Sequence, residues 1–217
     1  MQELKLEFPD ISNYDIHKIG ELALYSAHMD IFSLKGVIDS TKKSIDTMQL
    51  EFLVKMELAE SVNDYITSCD MSTNHSIYSS NVIPLLYSSI FISLVAIMED
   101  CFNRLCKMYS NKYKTELEFS DLRGKGLERA FLFLTKIAKI DSPKKNPLWK
   151  EINTAIKARN KIVHEGGIVA NDNVQEFLDN GYLVAEENNQ LLLEHDTLIH
   201  IYDIVNQFIT QTFKKVN

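Results

Sequence analysis

Apolar positions recur at helical spacing over most of the chain. From residue 14 to residue 68 there is no proline, glycine stands only at 20 and 36, and Leu, Ile, Met, Glu and Lys dominate. Ile19, Leu22, Ala23, Tyr25, Met29 and Phe32 make one stripe, and Leu50, Leu53, Val54, Leu58, Val62, Tyr65 and Ile66 a second, at the period of an amphipathic helix. Gly36, or Asp39-Ser40-Thr41, is the expected bend between two helices, because an unbroken rod of this length needs a partner along it. Both stripes are expected to pack inside the domain, with a subunit contact as the alternative. Residues 69–81 (CDMSTNHSIYSSN) are polar and read as a loop.

The next helix is expected from Pro84 to Asn111, with proline suited to a first turn and a core stripe of Leu86, Ile90, Leu94, Ile97, Met98, Cys101 and Leu105. Glu99 stands on the shoulder of that stripe, where a half-desolvated carboxylate needs a cation or a donor. A charged connection over 115–126 leads to a helix at 127–140. Asn146 then caps, and Pro147 opens, a helix running to Val163 and stopped by Gly166-Gly167. Tyr182-Leu-Val-Ala, Glu186-Glu-Asn-Asn-Gln and Leu191-Leu-Leu-Glu read as a short hairpin. A last helix, capped by Asp196, buries Leu198, Ile201, Tyr202, Val205, Phe208 and Ile209. The expected fold is therefore all-α, an antiparallel helical bundle with a long N-terminal helical extension (1–80) packed on a helical domain (81–217).

Composition narrows the function. The 217 residues are 45% hydrophobic and 24% charged, with 7 Gly and 4 Pro, which fits a globular helical chain. A net charge of −7 argues against coating nucleic acid through a broad basic surface, although one phosphate needs only one or two local cations. Cys69, Cys101 and Cys106 form no C-x-x-C pair, so neither a disulfide framework nor a cysteine-rich zinc site is expected, and a reducing cytoplasm fits. The opening Met-Gln-Glu-Leu-Lys-Leu-Glu-Phe-Pro lacks the pattern of a signal peptide. Val82–Met98 is a 17-residue apolar run that ends directly in Glu99-Asp100. A spanning helix wants about 20 apolar residues with interfacial flanks, so a core helix and no membrane is the expectation.

The chemistry concentrates in Arg159-Asn160-Lys161-Ile162-Val163-His164-Glu165-Gly166-Gly167. Guanidinium, carboxamide and imidazole stand in the last turns of one helix. Asn160 and His164 share a ridge, whereas Arg159 and His164 lie roughly 140° apart around an ideal helix and about 7.5 Å along it. One helix does not focus both on one atom; two copies across a twofold axis can. The negative helix end and Glu165 favour the protonated imidazole, and Arg159 suits a bidentate grip on phosphate. Such a set matches cleavage of RNA through its own 2′-hydroxyl.

Arg159-Asn160-Lys161-Ile162-Val163-His164 resembles the Arg-x4–6-His signature of the HEPN superfamily, in its form with Asn directly after Arg. Leu94-Val-Ala-Ile-Met-Glu99-Asp-Cys-Phe-Asn-Arg-Leu resembles the earlier helix of such domains, which often carries an acidic residue. The resemblance covers roughly residues 80–215. It implies a metal-independent endoribonuclease without cofactor, active as a homodimer on RNA, in antiviral defence or as a toxin, with an antitoxin or defence-system partner protein. Arg159 and His164 are then the catalytic pair, Asn160 orients the site, and Glu99 and Lys161 support it. The expected products are a 2′,3′-cyclic phosphate and a 5′-hydroxyl. The alternatives are a non-catalytic HEPN-like interaction protein and a nucleotide-binding regulator. His17, His28, His75, His195 and His200 show no H-x3-H or H-E-x-x-H pairing, and no G-x-S-x-G, G-x-G-x-x-G or G-x4-G-K-[ST] motif occurs.

Overall fold

The computed structural model describes residues 16–113, 119–124 and 126–216. The opening segment, most of the charged connection and Lys125 of the Gly124–Gly126 turn lie outside the described residues. Among the described residues the fold is all-α apart from one two-stranded ribbon. Its helices are α1 (Ile16–Ser61), α2 (Tyr65–Ile77), α3 (Ile83–Tyr113), α4 (Gly126–Lys136), α5 (Trp149–Glu165), α6 (Val174–Asp179) and α7 (His195–Phe213), with strands β1 (Leu183–Val184) and β2 (Leu191–Leu192) before α7.

The expected bend at Gly36 or Asp39–Thr41 is absent: α1 runs unbroken for 46 residues. A single glycine costs only about 1 kcal/mol in a helix, and the local side chains compensate. Lys35 pairs with Asp39 at 3.3 Å and Lys42 with Asp46 at 2.5 Å, each one turn apart. Ser44 and Thr47 return their hydroxyls to the carbonyls of Ser40 and Lys43 at 2.9 Å. The stop comes at Asn63, whose φ of 57° turns the chain.

Residues 69–81 are a second correction: they are helix, not loop. The Asp64 carboxylate accepts the Thr67 amide at 3.1 Å and the Thr67 hydroxyl at 2.7 Å, capping α2. Those bonds, the hydroxyl's first, hold the Asp64 carboxyl below its ordinary range. Thr73 gives its hydroxyl to the Cys69 carbonyl, so the polar residues that resemble a loop serve as a solvated helix face. A π turn over Tyr78–Val82 joins α2 to α3. Pro84, which supplies no amide hydrogen, follows directly, and the widened turn accommodates it. Residue 80, the expected domain boundary, lies inside this turn.

The chain divides into two units. The first gathers the chain up to Asp30 with Ala96–Lys150 and Val205–Asn217; the second gathers Ile31–Val95 and Glu151–Ile204. In the first, Arg104 of α3 bonds Ser26 and Asp30 of α1, and His28 meets the Thr210 hydroxyl at 2.9 Å. Its centre is aromatic: Phe102 lies 5.2 Å from Phe131, 5.2 Å from Phe213 and 5.7 Å from Phe208, and Phe131 lies 5.3 Å from Trp149. In the second unit α2 folds back on α1, where Phe52 meets the rings of His75 and Tyr78. Phe91, Phe177 and Tyr182 pack together there.

The buried line of α1 is Ile19, Ala23, Ala27, Ile31, Leu34, Ile38 and Ile45. Tyr25, Met29 and Phe32 of the first expected stripe are exposed, and so is the whole of the second, from Leu53 at 51% to Tyr65 at 78%. Apolar residues occupy two faces of this helix, so spacing alone does not identify the packed one. Leu86 is likewise exposed, while Ile90, Leu94, Met98, Cys101 and Leu105 are buried. The continuous helix from Tyr65 to Lys112 is long and apolar enough to cross a membrane by length and composition, with 33% of its most apolar window buried. Asp196 does not cap α7, which begins one residue earlier at His195; Asp196 accepts instead from the His195 ring at 3.1 Å.

Phe102→Ala removes the ring on which three others converge and should cost roughly 3–5 kcal/mol of stability, read as a lower urea midpoint in equilibrium unfolding.

Candidate functional site

The candidate residues Arg159, Asn160, Lys161 and His164 lie on the last two turns of α5, in the second unit. Asn146, itself buried, opens this segment by accepting the Leu148 amide at 2.9 Å. The helix proper begins at Trp149, two residues beyond the expected Pro147. Ile152, Ala155 and Ala158 are buried along one face with Thr154. The alanines let neighbouring chain approach closely, and the opposite ridge faces solvent. Asn160 and His164 stand on that ridge and are exposed, whereas Arg159, beside buried Ala158, is half-buried.

Arg159 donates from Nη1 to the Asn160 Oδ1 at 2.9 Å. A carboxamide that accepts from a guanidinium fixes the plane of its fork, the feature that matters when an anion is gripped by two parallel bonds. Lys161 is held differently: its Nζ lies 2.5 Å from the Glu165 carboxylate, an i,i+4 pair along the helix. One turn earlier Lys157 meets Glu176 at 2.8 Å, and the buried Thr154 hydroxyl donates to the same carboxylate at 3.3 Å. Two of the basic side chains around the motif are therefore neutralised by acids.

The helix end is built from backbone. Gly166 and Gly167 take φ of 63° and 83°, the left-handed region that side chains disfavour. The Gly167 amide donates to the Lys161 carbonyl at 3.0 Å and the Ile168 amide to the Glu165 carbonyl at 3.2 Å, satisfying acceptors that a helix end leaves open. The ribbon then fastens the exit. The Leu191 amide donates to the Gly167 carbonyl at 2.9 Å and the Val169 amide to the Asn189 carbonyl at 3.0 Å, while Ile168 bridges to Gln190 and Leu183 and Val184 pair with Leu192 and Leu191. This role of the hairpin, and the α6 acid Glu176 that restrains Lys157, are absent from the sequence reading. The glycine pair is its local trace; the partners, about 20 residues away, leave none.

Glu99 belongs to the first unit, on α3. A Cβ placed on Gly126 would stand 3.1 Å from its Oε1, so that glycine admits the carboxylate. Among the described residues no three His, Cys, Asp or Glu side chains gather to hold a metal ion. Cys101 and Cys106 are buried free thiols. Burial pushes Cys101 up to about 11, with Arg104 opposing, and pushes Cys106 higher still, so neither is a nucleophile near neutral pH. Comparison of the chain with protein-family models, with curated proteins and with solved structures gives no match.

Gly166→Ala meets no neighbouring atom, so its cost is that of the left-handed backbone alone, roughly 1–2 kcal/mol. The check is a urea unfolding curve, with Gly166→Asn expected to fall between the two because asparagine tolerates this conformation better.

Proposed function

We propose that the chain is a metal-independent endoribonuclease of HEPN type that acts as a homodimer. The observation that carries this reading is the end of α5, where a guanidinium steered by Asn160 and an exposed imidazole stand on two turns of a helix clamped by its glycine exit. Two such ends across a twofold axis place two Arg159–His164 pairs around one phosphodiester. One imidazole, neutral, removes the proton of the 2′-hydroxyl as its oxygen attacks phosphorus. The guanidinium groups balance the charge of the phosphorane. The second imidazole, protonated, delivers its proton to the departing 5′-oxygen. The products are a 2′,3′-cyclic phosphate and a 5′-hydroxyl, and the proton taken up by one imidazole restores the other through solvent.

The net charge of −7 makes general affinity for RNA weak, so the target is selected by local shape or delivered by a second protein, as an antitoxin or a defence-system partner would do. The cytoplasm is the compartment in which free Cys69, Cys101 and Cys106 and an RNA substrate coexist.

Purified chain should cut single-stranded RNA in excess EDTA, with 2′,3′-cyclic phosphate ends resolved by phosphatase sensitivity. Arg159→Ala and His164→Ala should each slow cutting by at least about 10²-fold, the lower range of a lost acid–base group, at unchanged helical circular dichroism. Cutting that survives both substitutions overturns the assignment.

A further inference from the structure

The second unit carries an apolar surface that nothing among the described residues covers. Leu50, Leu53, Val54 and Leu58 recur along one face of α1, Val62 continues them into the turn, and Tyr65 and Ile66 open α2; all seven are between 51% and 78% exposed. The opposite face of the same helix segment is the packed one, with Ile45 and Ala59 buried and Phe52 against α2. Along its whole length α2 buries no residue. Helices of this length draw most of their stability from a covered apolar face, and here the larger apolar face is turned outward.

We propose that this face, the end of α1 with the start of α2, docks a second copy of the same chain. Area is the first argument. Seven large side chains at these exposures present about 800 Å², which is what each partner contributes to a standard stable interface. Charge is the second. Glu51 and Lys55 stand one turn apart on one flank of the stripe, and neither has an ion-pair partner among the described residues. In an antiparallel twofold pair each meets the opposite charge of the other copy, so the surface is its own complement. A lipid surface fits worse, because Glu51, Glu57 and Glu60 outnumber Lys55 at the stripe and an anionic bilayer repels them. The proposal rests on the homodimer reading above and adds where the copies meet: on the unit that also carries α5.

Sedimentation velocity on the full chain tests it. The unaltered chain should sediment as a dimer at tens of micromolar, and its melting temperature should rise with chain concentration. Leu53→Asp with Leu58→Asp, both exposed in the single chain and so without cost to its fold, should weaken the dimer by roughly two orders of magnitude. His164→Ala should leave the dimer intact, which separates this proposal from that of cleavage. A monomer throughout, a dimer indifferent to the paired substitution, or binding of the unaltered chain to anionic vesicles that the substitution removes would each overturn it.

Discussion

A helix as long as α1 is stable only where something covers its apolar side, and that constraint organises the molecule. Intrinsic propensity and one-turn ion pairs such as Lys35–Asp39 contribute a few tenths of a kcal/mol each. Burying a single Ile or Leu contributes about 1.5–3 kcal/mol. The line Ile19, Ala23, Ala27, Ile31, Leu34, Ile38, Ile45 therefore decides which face of α1 turns inward. Its mixture of alanine and isoleucine also sets how closely covering chain approaches: alanine admits a neighbouring backbone, and isoleucine fills the space between.

The same logic of covered and uncovered faces gives α5 its chemistry. Ile152, Ala155 and Ala158 anchor one side, so the ridge carrying Asn160 and His164 has no choice but solvent. Anchoring alone would leave the last turn to fray, since its carbonyls lack amide partners. The amides of Gly167 and Ile168, reached through two left-handed glycines, bond the Lys161 and Glu165 carbonyls, and a two-residue ribbon holds the exit beyond them. The ribbon is too short to be a stable sheet by itself; its value lies in the amide of Leu191 reaching the carbonyl of Gly167, which converts a loose helix end into a fixed platform for an imidazole.

What the sequence reveals and what it hides follow from the range of the forces involved. The all-α class, the last helix with Leu198, Ile201, Tyr202, Val205, Phe208 and Ile209 buried, the hairpin and the glycine stop are legible because each is written in neighbours within a few positions. Tyr25, Met29 and Phe32 mislead because helical spacing reports a helix without reporting which of two apolar faces is covered; that depends on chain far away. Residues 69–81 mislead for the opposite reason. Serine, threonine and asparagine favour turns when their side chains compete for the backbone, but Thr73 turns its hydroxyl on a carbonyl of its own helix, and Asp64 supplies the start. Of the candidate residues, the motif puts Arg159, Asn160 and His164 on the last turns of one helix, and the structure joins Arg159 to Asn160. The acids that restrain Lys157 and Lys161 divide in the same way: Glu165 is local and visible, Glu176 is not.

On the proposed reading, those two acids bear on how a net-acidic chain would engage a phosphodiester. Lysines that are already paired with carboxylates contribute little long-range attraction, since each pair is nearly neutral beyond a Debye length of about 8 Å. A polyanion passing this surface meets no broad field to hold it. Recognition by the proposed nuclease would then fall to contacts that require a phosphate in one position, and a guanidinium planed by a neighbouring carboxamide is such a contact, because its two parallel donors match two phosphate oxygens only in one orientation. In the proposed nuclease, neutralised lysines beside an oriented arginine would trade affinity for selectivity. On the proposed reading they would lower the residence of every RNA equally and leave the discrimination among phosphates to Arg159 and Asn160, the balance expected of a nuclease whose indiscriminate cutting is harmful.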